Sequence, residues 1–367
     1  MADPRIVNLA KTLVHYSTKV QPGDCVAIQS TPLATPLIQA VYREVLRAGG
    51  HPYTMVDVDG LRGIFFEEAN DDQLKHVSRV SKMMYGEFNA MISIFAQANT
   101  RNLSRADVAK QRTNAQAHAE LMQMFVRRSA AKELKWCRAL FPTNAHAQDA
   151  EMSLADFEDY VYGAVYADTD DAVAEWRKFS EMQHRLVDWL KGKKRVEVKG
   201  PACDLTLLID GRAFINCDGE SNMPDGEIHT APVEDSVEGW IRYSYPAVTQ
   251  GREVEGIELT FEKGRVVKAM AEKNEEFLVS QLDTDEGARH VGEFAIGTNK
   301  KIDRFIKNLL FDEKLGGTIH LAVGSGHPET GSQNQSAIHW DMICDMKDGG
   351  EIYVDGTLFY RSGEFMV

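Results

Sequence analysis

The chain has 367 residues, with 55 Asp plus Glu against 41 Lys plus Arg and a net charge of −14. That balance excludes a general nucleic-acid binder, which needs a basic face to displace the counterions of phosphates. No apolar run approaches the roughly 18 residues that a bilayer-spanning helix requires, so no membrane partner is expected. Hydrophobic residues at 43% and charged residues at 26% fit a globular chain long enough for two ordinary domains. The N-terminal stretch lacks a continuous apolar core before a small-residue cleavage site, so no secretory signal is expected. Five cysteines, odd in number and without a CxxC pair, read as reduced thiols in a cytoplasmic protein.

The first half alternates between two textures. Asp24–Ile28 reads as a strand after Pro22-Gly23, and Pro36–Ala48 as a helix stopped by Gly49-Gly50. Pro52–Val58, Phe88–Phe95 and Trp136–Phe141 are further strands, with helical patterns over Asp71–Met84 and Asn114–Arg128. Strands alternating with helices predict βαβ units around a mostly parallel sheet covered on both faces. Two helices follow, one opened by Ser153 and one over Asp171–Leu190. The second ends in the basic stretch Lys191–Arg195, a solvated cationic end that suits the helix dipole. Beyond it lie strand-like runs at Arg195–Lys199, Asp204–Ile209, Tyr243–Val248, Val254–Phe261 and Arg265–Lys273, with a hairpin turning at Glu262-Lys263-Gly264. The expected architecture is α/β. A mostly parallel N-terminal α/β domain (residues 1–195) precedes an α+β domain with mostly antiparallel strands (residues 196–367).

Histidine and carboxylate residues gather between about residues 225 and 345. In a strand, His339 and Asp341 project to one face and Trp340 to the other, so the imidazole and carboxylate can share a metal. The apolar neighbours Ile338, Met342 and Ile343 make that strand a buried one, where charges need partners. His320 sits in a second such run, Thr318–Val323, which ends in Gly324-Ser325-Gly326 and places His327 beside the first site. Glu227, Glu293 and Glu313 are candidate carboxylates. Each alone is more simply a surface residue. Two or three of them with two histidines can hold a pair of divalent ions such as zinc, cobalt or manganese. Two such ions share a hydroxide and polarise a carbonyl. No Walker A sequence, GxSxG elbow or HExxH helix is present.

Taken in order, these segments resemble the thermophilic-type metalloaminopeptidases, the aminopeptidase T and S family, over nearly the whole chain. The segments are Asn222–Pro232 around Glu227, Thr284–Glu293, Leu310–Glu313 with Ile319–Ala322, and Asn334–Asp341. The resemblance implies metal ligands at Glu227, Glu293, Glu313, His320, His339 and Asp341, two divalent ions, and hydrolysis of the N-terminal peptide bond of a peptide with a free amino group. It implies an N-terminal α/β domain, a C-terminal catalytic domain and a homodimer. Glu293 would take the proton of the attacking water.

The chain departs from the family in three places. The interval from Glu313 to His320 is longer than the family's. The segment before His339 is shorter. His327 stands where the family carries a tyrosine that stabilises the oxyanion, so His327 is the second catalytic candidate, with a titration range near neutrality. Two other readings stay open on sequence alone. One is a mononuclear iron dioxygenase that opens a hydroxylated pyridine ring on the same fold; that branch carries a histidine at the position of Glu293. The other is a catalytically weakened homologue that binds metal or a small ligand.

Overall fold

The computed structural model describes residues 3–249 and 252–367. Apolar runs too short for helices and bounded by Gly, Pro and Asp turns become strands. Cys25–Ser30 follows the turn at Pro22-Gly23 and pairs in parallel with His51–Val56 on one side and Ala90–Phe95 on the other. Lys135–Leu140 and the short Asn222–Met223 extend this sheet in the same direction. Helix Thr35–Arg47 buries Leu37, Ile38, Val41 and Val45, and the chain turns out of it through Gly49 at φ +82°. Two helical stretches differ from the sequence reading. Asp71–Met84 is broken into Asp71–Lys75 and Arg79–Glu87, because Ser78 caps the second helix by accepting from the Val80 amide. Asn114–Arg128 becomes the end of Val108–Ala117 plus Ala119–Ala130.

By internal contacts the chain divides into two units. The first runs to Trp176 and takes in Gly219–Pro224; the second comprises Arg177–Asp218 and Asp225–Val367. The parallel sheet belongs to the first. The second unit carries an eight-stranded antiparallel sheet in the order Arg265–Met270, Glu258–Glu262, Glu238–Arg242, Cys203–Leu208, Arg195–Gly200, Glu351–Val354, Thr357–Arg361, Glu364–Phe365. A five-stranded antiparallel sheet follows the order His339–Asp345, Thr318–Gly324, Val291–Gly297, Glu227–Thr230, Ile215–Cys217. The architecture is therefore mixed α/β, with one parallel sheet and antiparallel sheets after it.

The expected strand Tyr243–Val248 is instead Glu238–Arg242 and Ala247–Thr249, separated by a bend. Pro246 has no amide to give a ladder there. Val254–Phe261 likewise divides into Arg252–Val254 and Glu258–Glu262. One hydrophobic core joins the two larger sheets of this unit, with Val196, Leu205, Ile241 and Phe359 from one and Phe294, Leu321 and Met342 from the other. No helix among the described residues is long and apolar enough to cross a membrane.

In the first unit, His146 is buried on helix Asn144–Asp149 and its Nε2 has no hydrogen-bond partner. Burial pushes its pKa below the ordinary histidine value, against a smaller opposing pull from Asp149. The unfolded chain thus takes a proton near pH 6.5 that the folded chain refuses. The stability tied to this residue is present above that pH and is lost as the pH falls. His146→Phe is expected to flatten the decline of the urea midpoint between pH 7.5 and about pH 5 relative to the native chain; an unchanged slope would contradict this.

Candidate metal centre

The period of two along a strand gives the five-stranded sheet two unlike faces. Ile228, Phe294, Ile319, Leu321, Trp340 and Met342 enter the core. The alternate positions Glu227, His229, Glu293, His320, His339 and Asp341 therefore share the opposite face. Register brings them together. Ala295 lies between His229 and His320, and Ala322 lies between Glu293 and Asp341, on adjacent strands. Two methyl groups form the floor over which longer side chains converge. Glu293 follows an irregularity in strand pairing at Gly292, where a Cβ would sit 2.4 Å from the carbonyl oxygens of Gly324 and Ser325. Only glycine lets the strands approach there.

Glu293 is the hub. Its Oε1 is 3.3 Å from His320 Nε2, and its Oε2 is 3.2 Å from His327 Nε2, 3.6 Å from His229 Nδ1 and 3.8 Å from His339 Nε2. Asp341 Oδ1 lies 3.5 Å from His339 Nε2 and 3.9 Å from His320 Nε2. Glu227 Oε2 lies 3.3 Å from His320 Nε2 without making a hydrogen bond. His339 Nδ1 donates to the Ser325 carbonyl at 2.7 Å, which turns Nε2 toward the cluster.

Burial alone would depress the histidines and raise the acids. For His320 the Glu293 hydrogen bond and the Glu227 and Asp341 charges overcome burial and raise its pKa to about 9. For His339 Asp341 does the same and raises it to about 10. Burial likewise opposes ionisation of Glu293, and the hydrogen bonds from His320 and His327 reverse this and hold it well below the usual range.

A second layer lies beneath Glu227. Lys314 is 1% exposed, with Nζ 2.7 Å from Glu227 Oε1, 2.7 Å from Glu313 Oε1 and 3.7 Å from Asp225 Oδ1. Burial disfavours its charge, but Glu227, Glu313 and Asp225 outweigh that and raise its pKa well above the lysine value. Burial moves Glu313 up to about 7, against the pull of Lys314. Gln183, fully buried, donates to the Glu227 carbonyl at 3.0 Å and to Thr298 Oγ1 at 2.8 Å, so a helix pins the strand that presents Glu227.

All seven residues singled out from the sequence lie in this neighbourhood. Ligand atoms fall within 4.8 Å of one another in three overlapping groups: Glu293, His327 and His339; Glu227, Glu293 and His320; and Glu313, His320 and Asp341. Glu227 Oε2, His229 Nδ1, His320 Nδ1 and Asp341 Oδ1 are buried without a hydrogen-bond partner. Buried polar atoms left in this state are costly. Glu227 Oε2 and Asp341 Oδ1 are acceptors facing the cluster, and borderline divalent ions such as zinc satisfy such a carboxylate and imidazole set. Sequence reasoning did not single out Lys314, Gln183 or His229. His229 had a signal, since it stands two residues after Glu227 in one strand. Lys314 and Gln183 had none, because a lysine after a surface-like Asp-Glu and a glutamine in a long helix are ordinary.

The sequence pattern of the thermophilic metalloprotease (M29) family matches residues 2–365. The chain belongs to that family. It is a metal-dependent hydrolase of the peptidase class. Aminopeptidase 2 of Geobacillus stearothermophilus is 27% identical over 97% of this chain and 96% of its own length. Aminopeptidase T of Thermus thermophilus is 32% identical over 63% of each chain. The structure of wild-type AmpT from Thermus thermophilus superimposes with a TM-score of 0.87 over 99% of both chains at 22% identity, which shows the shared fold. A 2,5-dihydroxypyridine dioxygenase from Pseudomonas putida shares the fold more distantly, with a TM-score of 0.59 at 12% identity over 99% of this chain and 96% of its own.

The alanine floor is testable. Ala322→Leu places a branched side chain between Glu293 and Asp341. It is expected to cost about 1–3 kcal/mol of stability and to weaken divalent-metal affinity by about 10–100-fold, read by chelator competition. Unaltered affinity would show that the floor does not set the spacing.

Proposed function

We propose that the chain is an aminopeptidase that releases the N-terminal residue of peptides through a centre of two divalent ions, zinc, cobalt or manganese. The proposed ligands are Glu227, Glu293, Glu313, His320, His339 and Asp341, and residues 196–367 form the catalytic part. The observation that carries the reading is the charge of the cluster. Asp225, Glu227, Glu293, Glu313 and Asp341 stand against the single ammonium of Lys314. With all five acids ionised and the imidazoles neutral, the four negative charges left over equal the charge of two divalent ions. The sharing of Glu293 and His320 between ligand groups supports adjacent ion positions.

Ions held there would polarise the scissile carbonyl and lower the pKa of water. Glu293, approached at both oxygens by imidazoles, is the group to accept a proton at Oε2 and return it to the leaving amine. His327, with its side chain 46% exposed and its Nε2 beside Glu293, reaches from the loop after strand Thr318–Gly324 to donate to the developing oxyanion. A free substrate amino group suits the acidic surroundings, which favours chain ends over internal bonds. The aminopeptidase names of these relatives support the same substrate class. A cytoplasmic homodimer fits the family resemblance and the five free cysteines. The dioxygenase reading rests on fold alone.

The test is a panel of aminoacyl-arylamides and dipeptides with added cobalt, zinc or manganese. Glu293→Gln is expected to lower kcat by about 10²–10⁴-fold and His327→Ala by about 10²–10³-fold. Turnover of the native chain that is indifferent to chelation, or to Glu293→Gln, would remove this reading.

A further inference from the structure

Lys314 is a fully buried cationic side chain of the site that the proposed chemistry does not use. Its position is fixed from both directions along the backbone. It follows the single-turn helix Leu309–Asp312, its amide donates to the Phe311 carbonyl at 2.9 Å, and its own carbonyl accepts from the Asn299 amide at 3.3 Å. The backbone is thus held at this point, and the side chain it carries is 1% exposed. It meets one oxygen, Oε1, of Glu227 and one oxygen, Oε1, of Glu313, each at 2.7 Å, with Asp225 Oδ1 at 3.7 Å. Glu227 Oε2 is left facing His320. Glu227 and Glu313 each also belong to a different candidate ligand group. Oxygens of three acids around one point resemble the donor set of a hard cation.

We propose that Lys314 is a built-in cation of the metal centre, a positioning residue that occupies one cation position permanently, leaves Glu227 and Glu313 one oxygen each for the ions, and sets the charge that those ions balance. This rests on the metal reading of the site given above. The ammonium differs from a bound ion in that it cannot dissociate, so it keeps two of the ligand carboxylates paired when the ions are absent. Its loss should therefore weigh mainly on the metal-free protein. In the loaded protein, two divalent ions already offset most of the negative charge. In the metal-free protein, removing the ammonium leaves buried carboxylates with no fixed counter-charge, the costly outcome for a broken buried pair. By linkage, the variant then holds its ions more tightly, since only the ion-free state is penalised. A side chain that merely filled space or tied a loop would lower both states equally.

The experiment compares native protein and Lys314→Met, which keeps an unbranched side chain and removes the charge. Thermal midpoints are measured after chelation and at saturating manganese. For Lys314→Met the chelated midpoint is expected to fall about 10 °C or more below that of chelated native protein, and the manganese-loaded midpoint by less than half as much. Chelator competition is expected to show at least about tenfold tighter manganese retention. A variant that folds with manganese and fails to fold without it gives the same answer more strongly. Equal losses in both states, or failure to fold even with manganese present, would overturn the proposal. The two readings fail separately. Native protein that binds no divalent ion would sink the metal reading whatever the variant does, whereas native protein that binds ions beside a variant with equal losses would sink only the role of Lys314.

Discussion

Negative charge held away from water governs this site. Glu227, Glu293 and Asp341 are all at most 6% exposed, and they share one face of a single sheet within reach of the same imidazole, His320. Like charges at such spacing repel, and burial penalises each of them further. Without ions the protein answers with the cations it owns. Protons sit on His320 and His339 at pH values where histidine is ordinarily neutral, and Lys314 stays charged although it is buried. On the proposed ligand set, divalent ions would take the place of those protons, because an imidazole must be deprotonated to coordinate. The raised histidine pKa values and the proposed metal centre thus answer one electrostatic demand.

The sheet can meet that demand because its other face is mostly apolar. Thr318–Gly324 and His339–Asp345 send alternate residues into a core shared with the eight-stranded sheet. That packing fixes the register, and a one-residue slip would bury the acids in the core and expose the hydrophobes. Core packing thereby determines the ligand geometry without touching it. The small residues Ala295 and Ala322 then decide how closely the polar side chains meet.

Much of this was legible in the sequence, for a physical reason. The alternation that makes a strand amphipathic also places His339 and Asp341 side by side, and an imidazole or carboxylate inside an apolar run is conspicuous. His320, His339, Asp341 and Glu293 stand out for that reason. The parallel sheet was legible because its strands are short apolar runs bounded by turn residues. The failures occurred where a local pattern was overridden. Ser78 split a continuous helical periodicity by capping, and the Tyr243–Val248 run was broken at the bend containing Pro246. Lys314 and Gln183 were illegible for a different reason. Their roles come from partners 87 and 44 residues away in the chain, and nothing in their immediate neighbours marks them as buried.

A fixed ammonium and an exchangeable ion are not equivalent solutions to the same charge. An ion gives Lewis acidity and can be lost; an ammonium gives only charge and hydrogen bonds, yet it is present as soon as the chain folds. Placing the ammonium under Glu227 and Glu313, away from His327 and Glu293, assigns the permanent cation to the side of the cluster that needs holding together. Glu227 and Glu313 keep one oxygen each for the ions of the proposed centre, and proton transfer is proposed on the other side, at Glu293 and His327. The more exposed groups lie on that second side, with His327 and His339 side chains 46% and 31% exposed against 1% for Lys314. Substrate can approach only where side chains meet solvent, so the division between fixed and exchangeable charge follows the division between support and access.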